Sequence, residues 1–317
     1  MPNFRTAPLA ATALLATTLL ASPALSQEAD SCGTVRFADV GWTDITATTA
    51  TASVVLEALG YTPQTSILAL PVTFQSLAND DMDVFLGNWM PTMENDIAAY
   101  RDDGRIEVIR TNLEGAKYTL AVPRYLFEAG LNDFSKINDF REELGGRIYG
   151  IEPGNDGNRL ILDMIEADQF GLAGFEVVES SEQGMLAQVS RAERAEQPIV
   201  FLGWEPHPMN SNFDIEYLPG GDDVFGPDLG GARVDTVTRA GFSQDCPNVG
   251  AFLANLEFTL QAENEIMGAI LNDGAEPETA AREWLTANPE TLDAWLQGVT
   301  TADGEPGLEA ARAELGL

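Results

Sequence analysis

Lysine is almost missing from this chain of 317 residues: Lys117 and Lys136 are the only two, so arginine supplies nearly all of the cationic side chains. Against 50 acidic residues, the 17 basic ones leave a formal charge of −33, and a surface of that sign repels nucleic acid. It suits solubility in a salty exterior, and its field also gathers cations. Histidine occurs once, at His207 between Pro206 and Pro208. With no Gly-x-Ser-x-Gly elbow in the chain, a Ser-His-Asp hydrolase is poorly supported, and acids this numerous make any carboxylate pair uninformative. Cysteine occurs twice, as Cys32 and Cys246, too few for a Cys-rich structural zinc site. The loop Gly154-Asn155-Asp156-Gly157-Asn158 is not followed by the Lys-Ser/Thr of a phosphate-binding loop. No catalysis, cofactor or metal is expected.

Tandem repeats, low-complexity runs and long blocks of like charge are also lacking. The longest apolar stretch, 9–20, is shorter than the roughly 20 residues of a membrane-spanning helix. It follows Arg5 and precedes small residues at 21–26, which makes 1–26 a secretory signal peptide. A soluble periplasmic protein is expected. In that oxidising compartment Cys32 and Cys246 are expected to form a disulfide, the alternative being two separate buried thiols. No apolar run directly precedes Cys32, so a lipid anchor there is not expected.

What is present is an alternation of short apolar runs with amphipathic stretches, the pattern of an α/β protein. Strands are expected at 34–38, 66–70, 83–86 and 106–110, with helices at 46–59, 72–79 and 92–100. A second series has strands at 118–122, 147–150, 175–178 and 198–202, with helices at 159–167 and 183–196. The proline- and glycine-rich passage 205–227 reads as a connection outside the core. The tail 247–317 reads as mostly helical, with Trp284 and Trp295 in its core. With 44% hydrophobic residues there is enough apolar content for two lobes. The expected division is lobe I at 27–111, lobe II at 112–205, and a return to lobe I at 206–317. Two crossings, near Asn112 and Pro206, then form a hinge.

Three tryptophans follow apolar runs that contain glycine: Trp42 after Val35 to Gly41, Trp89 after Val84 to Asn88, and Trp204 after Ile199 to Gly203. A glycine at a strand end permits a sharp turn, and open α/β sheets bind ligands beyond the carboxyl ends of their strands. Three indoles would then meet in one cleft, with Asp44 close by. Ring faces and one carboxylate, with no basic residue near in sequence, suit a quaternary ammonium ion. For each tryptophan the alternative is burial in the core. Asp44 is equally suited to capping a helix. Tyr118 is either a fourth ring or a core tyrosine, and Asn155 either meets a ligand hydroxyl or serves as a turn or cap residue. Tryptophans also stack on sugars, but sugars need several polar partners, and the segments around Trp89 and Trp204 supply few.

The segments Gly41-Trp42-Thr43-Asp44, Gly87-Asn88-Trp89-Met90-Pro91, Lys117-Tyr118, Pro153-Gly154-Asn155 and Gly203-Trp204-Glu205-Pro206-His207-Pro208 carry a family resemblance. From about Asp39 to the C-terminal helices the chain resembles periplasmic substrate-binding subunits of ABC importers for glycine betaine and choline, the choline-binding members most of all. That resemblance implies a two-lobe α/β binding protein, of the Venus-flytrap kind, that closes on its ligand. Trp42, Trp89, Tyr118 and Trp204 would box the trimethylammonium group, Asp44 would be its counter-anion, and Asn155 would meet the choline hydroxyl. A membrane permease and its ATPase are the implied partners, and a monomer is expected. Glycine betaine or proline betaine is the alternative ligand. Betaine carries a carboxylate that Asp44 would repel, and His207 is the one residue suited to donate to it. Acetylcholine, which retains the cation, is a secondary possibility.

Overall fold

The computed structural model describes Met1 and residues 32–317; apart from Met1, the expected signal peptide at 1–26 lies outside the described residues. Strand β1 (Thr34–Asp39) buries Val35, Phe37 and Ala38. It is flanked in parallel by β2 (Thr62–Ile67) and β3 (Val84–Met90). Helices α1 (Thr43–Ala58), α2 (Leu70–Ala78) and α3 (Glu94–Asp102) alternate with these strands, as parallel crossovers require. Strand β3 is buried along its whole length, whereas β2 is largely exposed. That exposure explains why β2 begins four residues before the expected 66–70. An edge strand needs no continuous apolar run to mark it.

The sequence pattern suggested separate strands at 106–110 and 118–122, but one strand, β4 (Ile106–Pro123), runs through both. Its polar centre is tied in place through the buried Asn112 amide nitrogen, which donates to the Leu86 carbonyl and to Thr236 Oγ1, each at 2.9 Å. The second lobe follows with α4 (Arg124–Glu128), β5 (Arg147–Tyr149), α5 (Asp156–Glu166), β6 (Glu176–Val178), α6 (Glu182–Arg194), β7 (Phe201–Glu205) and β8 (Ile215–Tyr217). Strand β9 (Gly231–Arg239) then runs antiparallel to both β3 and β4. Among the described residues all nine strands join one sheet, in the order β2-β1-β3-β9-β4-β7-β5-β6 with β8 on β4.

Past Pro206 the chain continues to pair with β4. Strand β8 pairs with Ala121–Pro123 of β4, and the return to β3 is made by β9. Nor is 205–227 merely a connection: His207, Met209, Leu218 and Phe225 are buried in it, and Phe225 meets the Tyr118 ring edge-on at 6.1 Å. Prolines and glycines here shape tight turns around core residues.

Helices at Leu260–Leu271 and Pro277–Ala287 pack on α1. With the sheet beneath it, α1 is therefore buried on nearly every side. Trp295 is in the core, while Trp284 is half-buried and donates its Nε1 hydrogen to Glu265.

A disulfide joins Cys32, just before β1, to Cys246, just before the helix Pro247–Asn255. It ties positions 214 apart, a span worth up to about 5 kcal/mol in the chain-entropy model. Replacing both cysteines by serine is expected to lower the unfolding free energy by up to that figure, read as a lower urea midpoint. An unchanged midpoint would show that the cross-link does not restrict the unfolded chain.

Candidate functional site

At the carboxyl end of β1, Gly41 adopts φ +82°, a left-handed turn that glycine makes without a Cβ penalty. Asp39 Oδ1 accepts the Gly41 amide hydrogen at 2.6 Å. The turn sets Trp42 at the N-cap of α1 and Asp44 in its first turn, where partial positive charge favours an anion. The other two glycines do not turn the chain. Gly87 and Gly203 lie within β3 and β7 and serve close packing: a Cβ on Gly87 would fall 2.6 Å from Ile45 Cδ1, and one on Gly203 would fall 2.9 Å from Ala121 Cβ. Trp89 and Trp204 sit near the ends of these strands, each followed two residues later by a proline joined through a cis peptide.

Antiparallel register places Tyr118 of β4 directly opposite Trp204 of β7. Their rings meet nearly edge to face at 6.4 Å, and Trp89 lies 6.0 Å from Tyr118 on the other side. Tyr118 is held from behind by Phe225 and above by α5, where a Cβ on Gly157 would come within 2.0 Å of the phenol oxygen. The sequence therefore keeps a glycine in the first turn of α5.

Trp42, Asp44, Trp89, Tyr118, Ile151 and Trp204 line one small cavity. All three tryptophans, the tyrosine and the aspartate singled out from the sequence are thus brought together, with walls from both lobes. Asn155 is not in the lining. It is the N-cap of α5, its Oδ1 accepting from the Asn158 amide at 2.7 Å and its Nδ2 donating to the Glu152 carbonyl at 2.9 Å. Only its second amide hydrogen remains for a ligand.

Asp44 is the carboxyl group in this lining. Its Oδ2 accepts the Trp89 indole hydrogen at 3.0 Å, while its Oδ1 is buried without a hydrogen-bond partner. Burial, and then the negative charge of Glu182, push its pKa up to about 8. Further acids surround the cavity: Glu152 accepts the Trp42 indole hydrogen at 2.6 Å, and Asp156 is wholly buried at the start of α5. Burial raises both, Asp156 to about 6. No lysine or arginine lines the cavity; Arg159 is occupied by a two-pronged pair with Asp96 at 2.8 and 2.6 Å. Aromatic faces and uncompensated carboxyls make the site attractive to a cation without donors.

His207 is unavailable to a ligand carboxylate. Its Nδ1 accepts from the Met209 amide at 2.9 Å, so Nε2 carries the hydrogen directed at Glu182 Oε1, 3.2 Å away. Its ring packs on Trp204 at 4.9 Å. Sequence reading missed Glu152, Ile151, Glu182 and Phe225. Glu152 directly precedes the Pro153-Gly154-Asn155 segment and was findable; nothing local marks Glu182.

A family model described as the substrate binding domain of ABC-type glycine betaine transport systems matches residues 33–287. A solved structure of an ABC-transporter choline binding protein in complex with choline is 64% identical, covers 91% of this chain and 100% of its own, and superposes with a TM-score of 0.90. Against the structure of such a protein in an unliganded semi-closed conformation, at the same identity and coverage, the TM-score is 0.84. The overall overlap is thus higher with the choline complex than with the semi-closed form. Lactococcal OpuAC in its closed-liganded conformation with glycine betaine is 25% identical, covers 83% of this chain and 98% of its own, and gives 0.75.

Proposed function

The chain belongs to the family of substrate-binding domains of ABC-type glycine betaine transport systems, and we propose that it captures choline in the periplasm and delivers it to an ABC importer. The observation that carries this reading is the unpartnered, buried Oδ1 of Asp44 in a cavity otherwise walled by Trp42, Trp89, Tyr118, Trp204 and Ile151. A trimethylammonium group presents methyls to the rings and diffuse charge to the carboxylate, and it leaves no donor unsatisfied. Ring contacts of this kind contribute about 0.5–2 kcal/mol each when dry, so four walls and an anion support micromolar or tighter binding, near −8 kcal/mol. The choline hydroxyl accepts the free Nδ2 hydrogen of Asn155.

Glycine betaine fits less well, because its carboxylate would face Asp44 and Glu152 with His207 already engaged. Sugars lack the polar partners they need. The protein performs no chemistry on its ligand: binding draws the lobes together across β4 and β9, and the closed form is what the permease and its ATPase partner recognise. One chain supplies every wall, so a monomer suffices. No helix among the described residues is long and apolar enough to cross a membrane.

Calorimetric titration with choline, glycine betaine and a monosaccharide panel tests the reading, choline being the tightest and sugars silent. A preference for sugar would refute it. Within the same assay, Trp89→Ala and Trp204→Ala are each expected to weaken choline by at least about 1 kcal/mol, or roughly fivefold. Unchanged affinity in both would be incompatible with the box.

A further inference from the structure

Helix α1 begins without a cap of its own: Trp42 occupies the N-cap, and no side chain in that turn accepts from the first amides. The cap comes from the other lobe. Glu182, the first residue of α6, accepts the Thr43 amide hydrogen through Oε2 at 2.9 Å and the Thr43 hydroxyl through Oε1 at 2.5 Å. It is about 1% exposed, and His207 fixes it from the side of its own lobe. Other polar contacts cross the cleft, among them Trp42 to Glu152, Arg159 to Asp96 and Asn212 to Asn272. Of the three acids involved, Glu182 alone reaches the backbone of the turn that carries both Trp42 and Asp44.

We propose that Glu182 couples lobe closure to a cation in the box: it caps α1 when the lobes meet, and its charge disfavours closure around an ionised Asp44 until a cation is bound. The inference rests on the choline reading and deepens it. An uncapped helix start exposes donors that an incoming carboxylate satisfies, so Glu182 holds Trp42 and Asp44 in their closed positions. Two acids at one helix start also repel, and Glu182 is the largest charge acting on Asp44. A quaternary ammonium ion beside Asp44 removes that repulsion, after which only the capping attraction remains. Glu182 thus acts as a positioning residue, without touching the ligand.

The test is stopped-flow binding of choline, monitored by tryptophan fluorescence, with amide exchange at Thr43 and small-angle scattering of the empty protein. Glu182→Ala should speed dissociation about 10- to 100-fold, the loss of one or two buried charged hydrogen bonds, with association changed far less. It should also abolish the choline-dependent protection of the Thr43 amide. Glu182→Gln retains an acceptor but not the charge. Its dissociation should lie closer to that of the unsubstituted protein, and at pH 9, where Asp44 is ionised, its empty form should be more compact. Thr43→Val, which removes the hydroxyl bond alone, should speed dissociation by a smaller factor and guards against a Glu182→Ala protein that fails to fold. Dissociation unchanged in both Thr43→Val and Glu182→Ala, or an empty Glu182→Gln protein no more compact than the original at that pH, overturns the coupling while leaving choline binding intact. No binding of choline by the unsubstituted protein overturns the functional reading and the coupling together.

Discussion

Asp44→Asn is expected to weaken choline binding by about 2–4 kcal/mol, roughly 30- to 1000-fold, the usual cost of removing one partner of a buried charge pair. The substitution is close to isosteric, and asparagine still offers a carbonyl oxygen to the Trp89 indole hydrogen now donated to Asp44 Oδ2. What disappears is the negative charge at the unpartnered Oδ1. The loss should therefore appear in choline affinity while the thermal transition of the empty protein stays as high or, above about pH 8 where the buried acid would be ionised, rises. The same change should narrow the gap between choline and glycine betaine, since the group repelling the betaine carboxylate is gone. Titration of both ligands against both proteins reads this out, and a tenfold or smaller loss for choline would mean that the rings do nearly all of the binding.

The second large effect is on pH. Burial, followed by the charge of Glu182, raises Asp44 to about 8 in the empty site, and a cation pairs with its ionised form. Below that pH, binding must expel a proton. Choline affinity should climb with a slope approaching tenfold per pH unit from about pH 6 to about pH 8 and level off above, as linkage requires. Calorimetry in buffers of different ionisation heat should find close to one proton released at pH 6 and almost none at pH 9, and Asp44→Asn should flatten both. For stability the sign is opposite. A carboxyl group whose folded pKa is raised holds its proton more tightly when folded. Its contribution is full below the unfolded value near 4 and is lost as pH rises toward 8, by up to about 1.4 kcal/mol per unit. Burial also raises Glu152, Asp156 and Glu263, and these act in the same direction. An affinity independent of pH between 6 and 8 would show that Asp44 is ionised before choline arrives.

Much of this site was legible because tryptophan is scarce and its neighbours were informative: Trp42, Trp89 and Trp204 each followed an apolar run, and strands deliver side chains to a common edge. The reason given for the glycines held only at Gly41; at Gly87 and Gly203 tertiary packing of Ile45 and Ala121 decides the residue. Tyr118 was ambiguous until pairing with β7 set it opposite Trp204. Asn155 read as either cap or ligand contact, and the structure shows the capping bond. The long β4 was invisible because Asn112 and its polar neighbours look like a break, and only the partners on β3 and β9 make that stretch a strand. Glu182 could not have been found: its partner Thr43 is 139 residues away, and no local periodicity encodes such a meeting.

Strands β4 and β9 link the two halves and are also hydrogen-bonded to each other from Ile106 to Lys117. Sliding one half past the other would have to rupture that ladder, whereas bending it across its irregular stretch between Val108 and Ala116 leaves the pairing in place. Opening therefore has essentially one degree of freedom, an angle. A single pair of spin labels spanning the mouth would suffice to follow the whole excursion.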